Sequence, residues 1–139
     1  IIYSSDIKFS YRECNLDNNL IFISATFRGK KDNKENIQKK INNLVERKKK
    51  DQPSKIKTCG STFKNPENNK AWKLIRDSGC AGMKFGDAHI SEKHCNFFVN
   101  GGNAKSSDFE NLIHQVKNKV LKRSGINLEL ELQIIGEKS

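Results

Sequence analysis

An α+β fold is predicted by three features of the chain: a short run of β-branched and aromatic residues, stretches with helical periodicity, and a closing segment of alternating apolar and polar residues. The run is Asn19 to Phe27 (NLIFISATF), and its composition and length predict a strand buried on both faces. Lys30 to Glu35 reads as a polar connection. From Asn36 to Lys50, Ile37, Ile41, Leu44 and Val45 fall at i, i+4, i+7 and i+8, one stripe of an amphipathic helix. The basic run Arg47-Lys48-Lys49-Lys50 suits the negative end of that helix's dipole. Pro53 cannot extend the hydrogen-bond ladder, so the helix stops at Asp51-Gln52-Pro53-Ser54, and a domain boundary is expected there, dividing 1–52 from 53–139.

Beyond the boundary, Asn69 to Ser78 predicts a short helix with Trp72 and Ile75 on one side and Gly79 as a left-handed cap. Asn96-Phe97-Phe98-Val99 predicts a strand that ends in the turn Asn100-Gly101-Gly102-Asn103. Ser107 and Glu110 have capping-box spacing at the start of a helix that carries Phe109, Leu112, Ile113, Val116, Val120 and Leu121 on one face and ends at Gly125. Leu128, Leu130, Leu132 and Ile134 then alternate with Glu129, Glu131 and Gln133, as in a half-buried strand.

Composition narrows the class further. At 139 residues the chain can bury a core without disulfide or metal staples. It opens on Ile1-Ile2-Tyr3, has no signal-peptide layout and no apolar run long enough to span a bilayer, which predicts a soluble, cytoplasmic fragment of a longer protein and no membrane partner. The net charge of +10 would suit a polyanion or a phosphate-bearing small molecule. The lysines are spread out, however, and no basic–aromatic interleaving of the kind that stacks bases occurs, so no nucleic-acid partner is expected. Cys14, Cys59, Cys80 and Cys95 form no C-x-x-C, and with His89 and His94 they fit no structural zinc spacing. Buried or partly buried free thiols are expected instead of a metal site, and Cys59 and Cys95 are expected only to pack.

Three places carry chemistry. Cys59-Gly60-Ser61-Thr62-Phe63-Lys64-Asn65-Pro66 reads, taken alone, as an ordinary turn into a strand, although Gly60 would let a ligand approach the backbone and Lys64 and Asn65 offer a charge and an amide to a phosphate or sugar. Gly79 through Asn100 is punctuated by glycines and could shape a pocket wall, with His94 read as a packed or capping histidine. Glu131 lies on the last strand, facing away from the core if the leucines face inward.

Taken in order, these segments resemble the UDP-N-acetylenolpyruvoylglucosamine reductases. Gly60 to Pro66 is similar to the family's Gly-Ser-x-Phe-Lys-Asn-Pro signature, and Gln52-Pro53 to the hinge before it. Trp72-x-x-Ile75, the loop with Gly82 and Gly86, and Ser91-x-x-His94-x-Asn96-Phe97-x-Val99-Asn100 follow. Glu131-Leu132-Gln133-Ile134-Ile135-Gly136 resembles the family's closing strand. Upstream, Phe9-Ser10-Tyr11-Arg12-Glu13-Cys14 looks like the segment that closes the flavin domain. The resemblance runs from about Asp6 to Glu137, nearly the whole chain.

The resemblance implies a C-terminal substrate-binding domain at 53–139, preceded at 1–52 by the tail of an FAD-binding domain. It implies a cytoplasmic bacterial enzyme that reduces UDP-N-acetylglucosamine enolpyruvate to UDP-N-acetylmuramate in peptidoglycan precursor synthesis; a monomer is the default expectation. NADPH is the reductant and FAD the cofactor, with hydride reaching C3 of the enolpyruvyl group and a proton reaching C2. By matched position, Ser61 is the proton donor. Arg12 clamps the carboxylate bidentately, and Glu131 supports it as a protonated hydrogen-bonding partner, because an ionised one would repel the enolate. Lys64, Asn65 and Tyr11 hold the substrate. Nothing in the chain resembles the family's glycine-rich flavin motifs, so this stretch alone is expected neither to hold FAD nor to turn over. Cys14 stands where the family usually has Ser, and Asp87 where a second Gly is common. The alternative is a basic module that binds a sugar nucleotide or RNA without catalysis.

Overall fold

The computed structural model describes residues 1–136, so the Glu137 end of the matched stretch lies outside the described residues. Packing divides the chain into two compact units, Ile1–Lys34 and Glu35–Ser139. The first unit holds a 3-10 turn, Ser4–Asp6, and a hairpin of β1 (Phe9–Ser10) and β2 (Glu13–Cys14). Phe9 pairs with Cys14 and Ser10 with Glu13, which leaves Tyr11 and Arg12 as the turn residues. Arg12 has φ +63°, a left-handed conformation that a tight turn imposes on a side-chain-bearing residue. The Asn15 carboxamide ties the base of the hairpin, accepting from the Lys8 N–H at 2.7 Å and donating to the Asp6 carbonyl at 3.2 Å.

The strand expected over Asn19 to Phe27 does not form: no regular structure runs through those residues, and Ile23 is 94% exposed. A strand needs a neighbour to take its N–H and C=O groups, and among the described residues no other strand pairs with it.

From its second residue, α1 (Lys34–Asp51) belongs to the second unit; it is the helix the periodicity predicts, with Lys48, Lys49 and Lys50 in its last turn. Its apolar stripe is exposed along its whole length, Leu44 at 64%. β3 (Lys57–Ser61), β4 (Lys84–Phe85), β5 (Ala88–Ile90) and β6 (Phe97–Asn100) form an antiparallel sheet in the order β3-β6-β5-β4. α2 (Ala71–Asp77) and α3 (Ser106–Ser124) pack against each other, and α3 also packs on β4 and β5. The core gathers Phe63, Ile75, Ile90, Phe98, Leu112, Val116, Val120 and Leu128.

Local signals explain the helix ends. Ser78 caps α2 and Gly79, at φ +70°, turns the chain, so that the Cys80 N–H reaches the Ile75 carbonyl at 3.2 Å and the Gly79 N–H reaches Arg76 at 2.9 Å. α3 starts two residues earlier than its expected box: the carboxylate of Asp108, not Glu110, accepts from the Lys105 N–H at 2.9 Å. Lys105 is the last non-helical residue, which puts Asp108 at the third helical position where the reach back is made. Gly125 ends α3 at φ +71°, as expected.

The closing segment is a strand only in part. Leu130 bridges Phe63 antiparallel, and Leu128 is buried with Leu130 and Leu132 packed on the core. Ile134, expected inward, is 50% exposed. The backbone bonds that join this segment to residues 62–64 run through Glu129 and Glu131, before the exposed Ile134. Cys80 and Cys95 are buried thiols, as expected, whereas Cys14 and Cys59 are exposed and do not pack in the core.

Candidate functional site

The signature segment starts with an interruption in β3. Thr58 pairs with Val99 and Ser61 with Phe97, so one extra residue is accommodated between them, and Gly60 sits inside the bulge at φ +87°. A bulge re-aims the side chain that follows it, and a glycine allows the left-handed backbone at no steric cost. Ser61 emerges half-buried at the end of the strand.

After Ser61 the chain is held on both edges. On one side the Thr62 N–H donates to the Asn96 carbonyl at 2.8 Å. The Asn96 carboxamide then brackets Phe63, accepting from its N–H at 3.0 Å and donating to its carbonyl at 2.8 Å. On the other side the Glu131 N–H donates to the Thr62 carbonyl and the Lys64 N–H to the Glu129 carbonyl, both at 2.9 Å. Residues far apart in sequence, Ser61 and Glu131, are thereby brought onto adjacent backbone segments.

Lys64 and Asn65 continue from the same strand end. The Lys64 ammonium lies 3.6 Å from the carboxylate of Glu129, whose side chain is 75% exposed. The Asn65 carboxamide oxygen accepts from the Ala71 N–H at 3.0 Å and so satisfies the first helical amide of α2. The structure thus assembles Ser61, Lys64, Asn65 and Glu131 within the second unit. Tyr11 and Arg12 belong to the first unit, both exposed, with the guanidinium 5.3 Å from the centre of the Tyr11 ring.

His94 is packed, as the reading of it as a core or capping histidine requires. Its ring lies 4.8 Å from Phe97 in an edge-on arrangement and 6.1 Å from Trp72, and its Nδ1 is buried with no hydrogen-bond partner. Burial holds the imidazole below its ordinary pKa, opposed by the charge of Asp51. Burial likewise raises the Cys80 and Cys95 thiols, which keeps them neutral and unreactive. Among the described residues no three His, Cys, Asp or Glu side chains are grouped to hold a metal ion.

Two polar residues have roles that spacing alone did not reveal. Asp87 is used by the fold: its carboxylate accepts from the Asn103 N–H at 3.0 Å and its carbonyl from the Gly101 N–H at 2.8 Å, closing the loop after β6. Asn96 is the other. An asparagine is disfavoured in a strand, so one set directly before Phe97-Phe98-Val99 is a buried polar group that needs partners, and that mismatch was the available signal.

Comparison with known proteins places these features together. A family model described as UDP-N-acetylenolpyruvoylglucosamine reductase, C-terminal domain, matches residues 52–135. A UDP-N-acetylenolpyruvoylglucosamine reductase of Pelagibacter ubique is 51% identical over 137 residues, covering 96% of this chain and 45% of that protein. Its counterpart in Parvibaculum lavamentivorans is 41% identical over 136 residues, covering 98% of this chain and 44% of its own length. The crystal structure of UDP-N-acetylenolpyruvylglucosamine reductase from Thermus caldophilus superposes with a TM-score of 0.79 at 32% identity, over 93% of this chain and 46% of that one. The chain therefore spans less than half the length of these relatives.

Proposed function

This chain belongs to the UDP-N-acetylenolpyruvoylglucosamine reductase family, and from that premise we propose that the protein containing it reduces UDP-N-acetylglucosamine enolpyruvate to UDP-N-acetylmuramate for peptidoglycan synthesis. The observation that carries this reading is the bond from the Glu131 N–H to the Thr62 carbonyl, which sets the proposed carboxyl partner beside the residue that follows the proposed proton donor. Residues 53–139 would bind the sugar nucleotide and 1–52 would complete a flavin-binding domain, a division supported by the family model's start at residue 52.

NADPH and FAD are proposed as reductant and cofactor of the whole protein, reduced flavin supplying the hydride. The described residues of the first unit are a two-stranded hairpin and an exposed irregular segment. Turnover is proposed for the full-length protein. As a hydride adds at C3, negative charge builds on the substrate carboxylate and a proton is needed at C2. The Ser61 hydroxyl delivers that proton, Arg12 holds the carboxylate in a bidentate grip, and Glu131 supports it as a polar partner. Lys64, Asn65 and Tyr11 hold the sugar nucleotide. An exposed ion pair is worth at most about 1 kcal/mol, so a substrate diphosphate can draw Lys64 away from Glu129.

No helix of the described residues is long and apolar enough to cross a membrane. A monomeric enzyme in the bacterial cytoplasm, acting on a soluble sugar nucleotide and not on nucleic acid, is part of the same proposal. The test is NADPH oxidation by the full-length protein with and without the enolpyruvyl sugar nucleotide. Oxidation should depend on that substrate. Ser61→Ala should cut it by at least about a hundredfold while NADPH still reduces the bound flavin. Turnover in Ser61→Ala equal to that of the parent would remove Ser61 from the reaction.

A further inference from the structure

Asn96 is 4% exposed and stands directly before β6, next to Phe97, Phe98 and Val99. A carboxamide in such surroundings must find partners for both its oxygen and its NH2 group or forfeit their solvation. It finds both on one residue, bonding the Phe63 N–H at 3.0 Å and the Phe63 carbonyl at 2.8 Å. The geometry is that of a peptide group. Ser61 with Phe97 is the last ordinary pair between β3 and β6, and the Thr62 N–H then takes the Asn96 backbone carbonyl. One residue further on, the Asn96 side chain replaces the main chain of a strand partner, so the ladder disturbed by the bulge is carried through to Phe63.

We propose that Asn96 is a positioning residue for the proton-delivering end of the site. It fixes the backbone immediately after Ser61. Through Thr62 and Lys64, which bond Glu131 and Glu129 on the opposite edge, it also fixes the segment that presents Glu131. The inference rests on the reading of Ser61 given above. Asn96 itself touches no reacting atom. Its effect is to hold the hydroxyl within reach of C2, where a displacement of about 1 Å is enough to cost about a hundredfold.

The experiment uses the full-length protein and follows its bound flavin by rapid mixing. Reduction by NADPH is read separately from reoxidation by the enolpyruvyl sugar nucleotide. In Asn96→Ala the reduction rate should match the parent and the reoxidation rate should fall about a hundredfold. Asn96→Asp keeps an acceptor for the Phe63 N–H but sets an oxygen against the Phe63 carbonyl, so it should fall as well, and it carries the comparison if the alanine variant does not fold. In a Ser61→Ala background, changing Asn96 should cost little more, because a residue that acts through Ser61 has nothing left to position.

Three results overturn the proposal: reoxidation at the parent rate, an equal slowing of both half-reactions, or the same fold-loss with and without Ser61. If Ser61→Ala alone reoxidises at the parent rate, the reading of Ser61 fails and the role of Asn96 fails with it. That outcome is visible in the single variant and is separate from the other three.

Discussion

Gly60 offers the sharpest test of how the signature segment works. Its φ of +87° lies where L side chains are strained, yet a Cβ built on it meets nothing within 4 Å. Conformation and crowding are therefore separated at this position. Gly60→Ala has room for its methyl group and should lose only the backbone term, about 1–2 kcal/mol. Gly60→Asn brings a larger side chain but tolerates the left-handed region better, so it should lose less than alanine. Gly60→Val, with a branched Cβ, should lose the most. Urea unfolding of the full-length protein gives the order, and substrate-dependent NADPH oxidation should follow it, because relaxing φ undoes the bulge that aims Ser61. If alanine and asparagine both unfold at the parent midpoint, the left-handed backbone is not the reason for glycine here. If asparagine is worse than alanine, size governs, and the open space at Gly60 is an incorrect description.

Two further outcomes follow from the same site. The unfolded chain binds a proton on His94 more readily than the folded one, because burial lowers the folded value. Its contribution is thus full above the usual 6.5 and is lost as pH falls from there through the lowered folded pKa. Unfolding midpoints of the parent should decline over that window more than those of His94→Phe, and equal slopes would show that His94 is not the group responsible. Asn65→Ala removes the acceptor of the Ala71 N–H and should destabilise the protein by about 1 kcal/mol, read as a shift in urea midpoint. Asn65→Asp keeps that acceptor and should recover most of the loss, and no recovery would mean that the carboxamide's value lies elsewhere.

The parts of this fold legible in the sequence are those whose reason is local. Ile37, Ile41, Leu44 and Val45 mark α1 by spacing alone, and Gly79 and Gly125 mark helix ends because a left-handed residue is needed there. Periodicity reports which residues share a face, however, and not whether anything covers it. The α1 stripe is helical as predicted and exposed all the same. Asn19 to Phe27 fails for a related reason: β-branched composition favours an extended chain, but pairing depends on another segment, which composition cannot supply. The capping box lies two positions upstream of the expected one because the N-cap is Lys105, a residue whose type does not mark a helix start, and only the Asp108 carboxylate's reach to the Lys105 N–H sets the register. Ser61, Lys64 and Asn65 take their roles from their shared motif, whereas Asn96, although it lies in the motif from Ser91 to Asn100, reads as no more than the first residue of a strand. Its value comes from a partner 33 residues earlier.

That contrast bears on why the signature from Gly60 to Pro66 is so diagnostic. On the proposed reading, a proton donor needs one hydroxyl and a diphosphate site needs little more than one cation, so chemistry alone would constrain Ser61 and Lys64 and leave their neighbours free. The structure gives the neighbours work of another kind. Gly60 supplies the bulge, and Phe63 sits 1% exposed in the core with both its backbone polar groups bonded to Asn96. Asn65 satisfies the first amide of α2, and the Pro66 carbonyl accepts from Asn69 in the turn that leads there. These residues deliver position, and position is the larger part of what an oriented proton transfer requires. A substitution at Gly60 or Asn96 should therefore lower substrate-dependent turnover by a factor comparable to the loss of a substrate contact, even though the proposal gives neither side chain a substrate contact.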